Sequence, residues 1–127
     1  PDFKNAQYAC IRDTESLKTW VDLITARGYV AVDTETTGLN EMIAELVGIS
    51  LCVEAGQACY IPLTHKAGQA DDLFGSDRLA EGQIPIDEAL ALLKPVLEDP
   101  AILKIGQNMK YDAKMFARYG ITVAPID

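Results

Sequence analysis

The sequence predicts an α/β fold, a mixed β-sheet flanked by helices. Two observations carry that expectation. Short β-rich apolar runs alternate with segments whose apolar residues recur at helical spacing. The strands come first and then give way to strand–helix alternation, an order that indicates a mixed sheet, antiparallel at least in part. The length of 127 residues, with 49% hydrophobic and 24% charged side chains, suits one soluble globular domain with one core.

Taken in order, Asp13 is placed to cap a first helix in which Leu17, Trp20, Val21 and Ile24 share a face, and Gly28 supplies its stop. Residues 29–34, YVAVDT, read as a short strand. Residues 45–53 and 58–63 read as two more, with Glu54-Ala55-Gly56-Gln57 between them as a hairpin turn. Residues 64–85 are polar and rich in Gly and Asp, which predicts a long surface loop. Asp87 is the expected cap of the next helix, with Ala89, Leu90, Leu93, Val96 and Leu97 facing inward and Pro95 kinking it. Residues 101–105 predict a further strand. A last helix is expected from about Asn108 to Tyr119, ending at Gly120. No internal repeat, low-complexity tract or linker interrupts this order.

Composition narrows the function. The net charge of −8 argues against strong nucleic-acid binding through Lys and Arg, so any nucleic-acid enzyme here takes its grip from metal ions or from a partner domain. No apolar run approaches membrane-spanning length, and no basic leader precedes an apolar stretch. Cys10, Cys52 and Cys59 form no C-x-x-C pair and are expected as free thiols packed as small hydrophobes. The single histidine, His65, lies in the polar loop and is expected on the surface. A first residue other than Met and an abrupt end at Asp127 point to a piece of a longer polypeptide.

Three acids fall where acids are costly. Asp33 and Glu35 stand two apart at the end of the first apolar strand, so they share a face beside the core. Two adjacent carboxylates there call for a cation, and an oxygen-seeking divalent ion such as Mg²⁺ or Mn²⁺ fits. The D-x-E triplet is common by chance, and a solvated strand-end turn is the plainer alternative. Asp112 shares its helix stripe with Met115, Phe116 and Tyr119, an inward-facing place for a charge. Asn108 is one turn earlier, as a helix cap or a substrate contact or both. Lys110 and Tyr111 are expected to point elsewhere, Lys110 as a solvated charge. Acids from two distant segments on one site suit two-metal phosphoryl chemistry.

These residues also carry a family resemblance. Val30-Ala31-Val32-Asp33-Thr34-Glu35-Thr36 resembles the first exonuclease motif of bacterial family-A DNA polymerases, the polymerase I or Klenow type. Ile105-Gly106-Gln107-Asn108-Met109-Lys110-Tyr111-Asp112 resembles the second and is the more specific. Similarity continues in order through Leu46 to Ser50, Tyr60 to Pro62, Leu92 to Pro95 and Tyr119 to Ile121, nearly the whole chain. The resemblance implies a ribonuclease-H-like fold, incomplete at the C-terminus. It implies a 3′→5′ proofreading exonuclease of the bacterial cytoplasm, using two divalent ions, Mg²⁺ or Mn²⁺ with Zn²⁺ as an alternative. Its partners would be a single-stranded DNA 3′ end and a polymerase domain of the same polypeptide, with no membrane.

Carried over by the same resemblance, Asp33 would bridge both metals, Glu35 would bind the metal that activates water, and Asp112 would help hold the other. Leu39 matches an apolar residue that wedges against the terminal base, and Thr36 and Asn108 match positions near the 3′ nucleotide. A third family motif, with a tyrosine and a fourth acid, falls beyond Asp127, so residues 1–127 are expected to have little activity alone. Two alternatives stand beside this reading: a ribonuclease-D-like RNA-trimming exonuclease, and a non-catalytic spacer that keeps the fold. The three acids argue against the spacer. An aspartyl-phosphate hydrolase would want Asp where Glu35 stands.

Overall fold

The structure, a computed structural model, describes residues 7–37, 44–54, 56–64 and 83–125. The elements run β1 (Gln7–Cys10), α1 (Thr14–Arg27), β2 (Tyr29–Thr36), β3 (Leu46–Glu54), β4 (Gln57–Thr64), β5 (Ile84–Pro85), α2 (Ile86–Glu98), β6 (Leu103–Ile105) and α3 (Met109–Ala117). The strands form one sheet in the order β1-β4-β3-β2-β6, with β5 pairing to β4. The β2–β3 and β3–β4 pairs are antiparallel, and β1–β4, β2–β6 and β4–β5 are parallel. This is the mixed α/β sheet flanked by helices that the sequence predicts.

Local signals explain most boundaries. The Asp13 carboxylate accepts from the Ser16 amide at 2.8 Å and caps α1. Gly28 ends the helix at φ 81, a left-handed conformation that glycine takes without a Cβ penalty. Gly56, at φ 84, turns β3 into β4, so that Glu54 faces Gln57. Pro95 lies within α2 without ending it. It is exposed, so the carbonyl it leaves unpaired is on the solvated side.

Several expectations need correction. Asp87 does not cap α2. Pro85 holds the cap position, and Asp87 sits in the first turn, where its charge meets the positive end of the helix dipole. β2 runs two residues further than expected, to Thr36, while β6 and α3 are shorter than expected. β1 has no counterpart in the sequence reading. Ile84 and Pro85, expected in the loop, pair with Leu63 and Thr64. The rest of that loop, with His65, lies outside the described residues, as does Leu39. Of the cysteines only Cys59 is buried, and burial pushes its thiol up to about 12; Cys10 is exposed and Cys52 half-buried.

The register sorts the sheet into two faces. Val32, Leu51 and Cys59 align across β2, β3 and β4, as do Thr34, Ile49 and Ile61, and all six are buried. They meet Leu17 and Ile24 of α1, Ala89, Leu93 and Leu97 of α2, and Met115 and Phe116 of α3 in one core. The opposite face carries Ala31, Cys52 and Ala58 on one rung and Asp33, Ser50 and Tyr60 on the next, each partly or fully exposed.

Two features set the geometry around β6. Lys104, aligned with Val30, is fully buried, and its Nζ donates to the carbonyls of Asp99 and Ala124, each at 2.6 Å. Burial pushes its pKa down, and the nearby Asp99 charge pulls it up. The Lys104 amide also donates to the Pro125 carbonyl, so one residue ties the 124–125 segment to the sheet edge. Gly106 then makes the turn into α3. A Cβ there would stand 2.5 Å from Met109 Sδ and 2.7 Å from the Val32 carbonyl oxygen. The sulfur can swing aside, but the backbone oxygen of β2 cannot. Gly106→Ala should therefore destabilise the fold by about 2 kcal/mol through overpacking, read as a lower midpoint in urea denaturation with an unchanged slope. A midpoint equal to that of the parent would show that the turn has slack.

Candidate active site

The site forms where the sheet stops pairing. β6 ends at Ile105, opposite Ala31, so among the described residues the edge of β2 beyond Ala31 has no strand on that side. The start of α3 takes the place of the strand. Asp112, only 2% exposed, accepts from the Thr34 hydroxyl at 2.5 Å through Oδ1, and the Thr34 amide lies 3.4 Å from the same oxygen. On the other side of β2 the register with β3 shifts between Glu35 and Thr36, with Val47 as the extra residue. A bulge of this kind turns the strand locally and re-aims its last side chains.

Asp33, Thr34, Glu35, Thr36, Asn108, Tyr111 and Asp112 line one cavity of about 320 Å³. The three acids expected at a common site are therefore together. Asp33 and Glu35 reach it from the exposed face, and Asp112 from beneath the strand end. Thr36 and Asn108 are also in the lining. Asn108 occupies the cap position of α3, but its side chain makes no capping bond. It thus holds the expected cap position without the side-chain bond.

Tyr111 is the residue that the sequence reading misplaces. It was expected to point elsewhere, yet its hydroxyl is 2.8 Å from Thr36 Oγ1 and it forms part of the cavity wall. Sequence adjacency to Asp112 hid this. Neighbours on a helix diverge by about 100°, but a cavity at the start of α3 is wide enough to include both directions. Lys110 is exposed, as expected.

The electrostatics of the site centre on Asp112. Burial pushes its pKa up, hydrogen bonds from Thr34 pull it back, and the charges of Asp33 and Glu35 push it up further. Its Oδ2 is buried and has no hydrogen-bond partner among the described residues. A buried, unpartnered carboxylate oxygen is costly, and oxygen-seeking cations satisfy such atoms well. The oxygen donors of Asp112, Asp33 and Glu35 are of the kind that would suit a divalent ion. Among the described residues no three His, Cys, Asp or Glu side chains are gathered closely enough to hold an ion as they stand. Mutual repulsion of three carboxylates favours that spread. A neighbouring cavity of about 290 Å³ on the exposed sheet face shares Asp33 but adds no further acid to its lining.

Comparison with known proteins gives the family. Residues 8–126 match the family described as 3′-5′ exonuclease. The chain is similar to DNA polymerase I of Rhizobium leguminosarum, 44% identical over 98% of the chain and 13% of that protein. It is 33% identical to DNA polymerase I of Pseudomonas aeruginosa over 92% of the chain and 12% of that protein. The chain thus spans roughly an eighth of the length of these relatives. Among solved structures, Escherichia coli RNase D superposes with a TM-score of 0.64 at 20% identity, covering 94% of this chain and 26% of that one. At that identity the likeness speaks for the fold alone. Brucella melitensis NrnC, in a structure with bound Mg²⁺, superposes with a TM-score of 0.52 at 25% identity, covering 78% of this chain and 40% of that one. With a sheet order, an acid-lined strand end and a family match that agree along almost the whole sequence, the chain belongs to the 3′-5′ exonuclease family.

Proposed function

We propose that residues 1–127 contribute the acidic site of a metal-dependent exonuclease. It removes nucleotides from a single-stranded DNA 3′ end, within a polypeptide that also carries a polymerase domain. The observation that carries this is Asp112 Oδ2, buried and unpartnered in a cavity it shares with Asp33 and Glu35. DNA is favoured over RNA because the relatives at 44% and 33% identity are DNA polymerases, whereas the likeness to RNase D is one of fold. No helix among the described residues is long and apolar enough to cross a membrane.

Two divalent ions, Mg²⁺ or Mn²⁺, would supply positive charge to the scissile phosphate and a lower pKa to the attacking water. The chain's own residues supply the rest. Asp33 and Glu35 offer oxygen ligands from adjacent positions of one strand face. Thr34 holds Asp112 Oδ1, which fixes the rotation of the carboxylate and leaves Oδ2 for the ion. Thr36 and Tyr111, joined through their hydroxyls, form the wall against which the 3′ nucleotide lies, and Asn108 offers its uncommitted amide at the same rim. Leu39, in the 38–43 segment, is proposed as the apolar contact for the terminal base. The net charge of −8 fits a site whose hold on phosphate comes from bound cations.

The activity can be tested in a chimera. Residues 8–126 replace the matching span of the Rhizobium leguminosarum polymerase, and a 5′-labelled single-stranded oligonucleotide is followed with Mg²⁺. The chimera should shorten DNA from its 3′ end, and Asp112→Ala should slow this on the order of a thousandfold. Faster trimming of the matching RNA, or full activity in Asp112→Ala, would sink the proposal.

Metal binding gives a second check on the 127-residue chain itself. In Mn²⁺ titration calorimetry Asp33→Ala should abolish binding. Equal affinity in the two proteins would place the ion elsewhere.

Stability supplies a third. The raised pKa of Asp112 means that the fold favours its protonated form. Below the ordinary carboxylate range, folded and unfolded states are both protonated and nothing is lost. As pH rises through that range, about 4, the unfolded state ionises first and stability falls. With EDTA at neutral pH, Asp112→Asn should therefore be more stable than the parent by roughly 1 kcal/mol, and the gap should close toward pH 4. Added Mn²⁺ should stabilise the parent alone. A less stable Asp112→Asn under EDTA would mean that the buried charge is already compensated.

A further inference from the structure

Outside the motif residues, the sheet face that carries Asp33 and Glu35 holds one aromatic side chain in an unusual position. Tyr60 is on β4, on the rung of Ser50 and Asp33. Its phenol does not stay on that rung. It leans along β3 and lies over Gly48, where a Cβ would stand 2.0 Å from the Tyr60 hydroxyl oxygen and 2.5 Å from its Cζ. Gly48 is buried beneath it although it lies on the otherwise open face. The cross-strand partner of Gly48 is Glu35.

The hydroxyl therefore occupies the spot where the side chain of residue 48 would begin. Directly paired residues of an antiparallel ladder have Cβ atoms about 5 Å apart and point to the same face. The Tyr60 hydroxyl thus stands where the nearest cross-strand neighbour of Glu35 would be, and Glu35 has enough reach to bring its carboxylate within hydrogen-bonding distance. Glycine at position 48 is what lets the phenol cross β3 to get there.

We propose that Tyr60 is a positioning residue for Glu35: its hydroxyl donates to one carboxylate oxygen of Glu35 and so turns the other toward the cation. This rests on the reading of Glu35 as a metal ligand. A neutral donor suits the role, because it orients the carboxylate without competing for its charge. Removing an orienting partner of a metal-binding carboxylate commonly weakens the metal by an order of magnitude or more.

The test is Mn²⁺ binding to the 127-residue chain, followed by loss of the free-ion electron paramagnetic resonance signal, across a double-mutant cycle. Tyr60→Phe keeps the ring over Gly48 and removes the hydroxyl alone. It should bind Mn²⁺ on the order of tenfold more weakly. In the Glu35→Gln background, where binding is already strongly reduced, adding Tyr60→Phe should change nothing further. Gly48→Ala, which displaces the phenol and leaves its chemistry intact, should reproduce the weakening. Parent-like affinity in Tyr60→Phe, with binding lost in Glu35→Gln, would overturn the role of Tyr60 and leave the metal site standing. A Tyr60→Phe effect that persists undiminished in Glu35→Gln would overturn it too, since Tyr60 would then act independently of Glu35. Parent-like affinity in Glu35→Gln would overturn both the metal reading and the inference built on it.

Discussion

The contact between Thr34 and Asp112 is the point on which the site depends. It joins the end of the central strand to the start of α3 and spans 78 positions of sequence. It exists because β6 stops short. Had β6 continued beside β2, its backbone would fill the edge that Asp112 now occupies, and the carboxylate would have no place beneath the strand end. The turn at Gly106 brings α3 within reach, since the close approach to the Val32 carbonyl leaves no room for a side chain. Lys104 fixes the strand from which that turn departs, through its two carbonyl acceptors.

The far end of α3 is anchored as well. The Arg118 guanidinium donates to the Ala44 carbonyl, and the Tyr119 hydroxyl accepts from the Leu46 amide at 3.3 Å. Thr37 and Glu45 exchange hydrogen bonds at the base of the 38–44 segment, one from the Thr37 amide and one to its hydroxyl. α3 is thus held to the β2–β3 connection at one end and to Thr34 at the other. The Thr34 bonds hold one oxygen of Asp112, but the other is buried without a partner among the described residues, which is unfavourable. The surrounding contacts keep it there, as expected where local stability is given up for chemistry.

Much of this was legible in the sequence. The helix signals at Asp13 and Gly28, the Gly56 hairpin and the inward stripe of α2 all rest on short-range rules, and all are found. The acids were legible because each broke a local rule: two carboxylates on one strand face, and one on an apolar helix stripe. What stayed hidden was set by long-range pairing. β1 is four residues, QYAC, without a turn signal or clear alternation, and only its parallel partner β4 makes it a strand. The same is true of Ile84 and Pro85. Asp87 satisfied the local rule for a cap, yet the helix starts two residues earlier, at Ile86, which is buried in the core. Burial of an apolar side chain outweighed the choice of cap residue. Tyr111 and Tyr60 were invisible as site residues for a further reason. Each reaches its place through a tertiary relation, a cavity wide enough for two helix faces in one case and a missing side chain on a neighbouring strand in the other.

Those two tyrosines suit the surroundings of a cluster of negative charge. The Tyr111 hydroxyl meets that of Thr36, and the Tyr60 ring covers the backbone at Gly48. A lysine or arginine in either place would pair with the acids and compete with a cation for them. A plain apolar side chain would offer the acids no donor. A phenol can donate to a carboxylate, as proposed for Tyr60 and Glu35, and leaves the net negative charge of the cavity intact for a divalent ion. The acidity of the site and the neutrality of its lining are thus one constraint: the strand end must hold its carboxylates oriented without neutralising them.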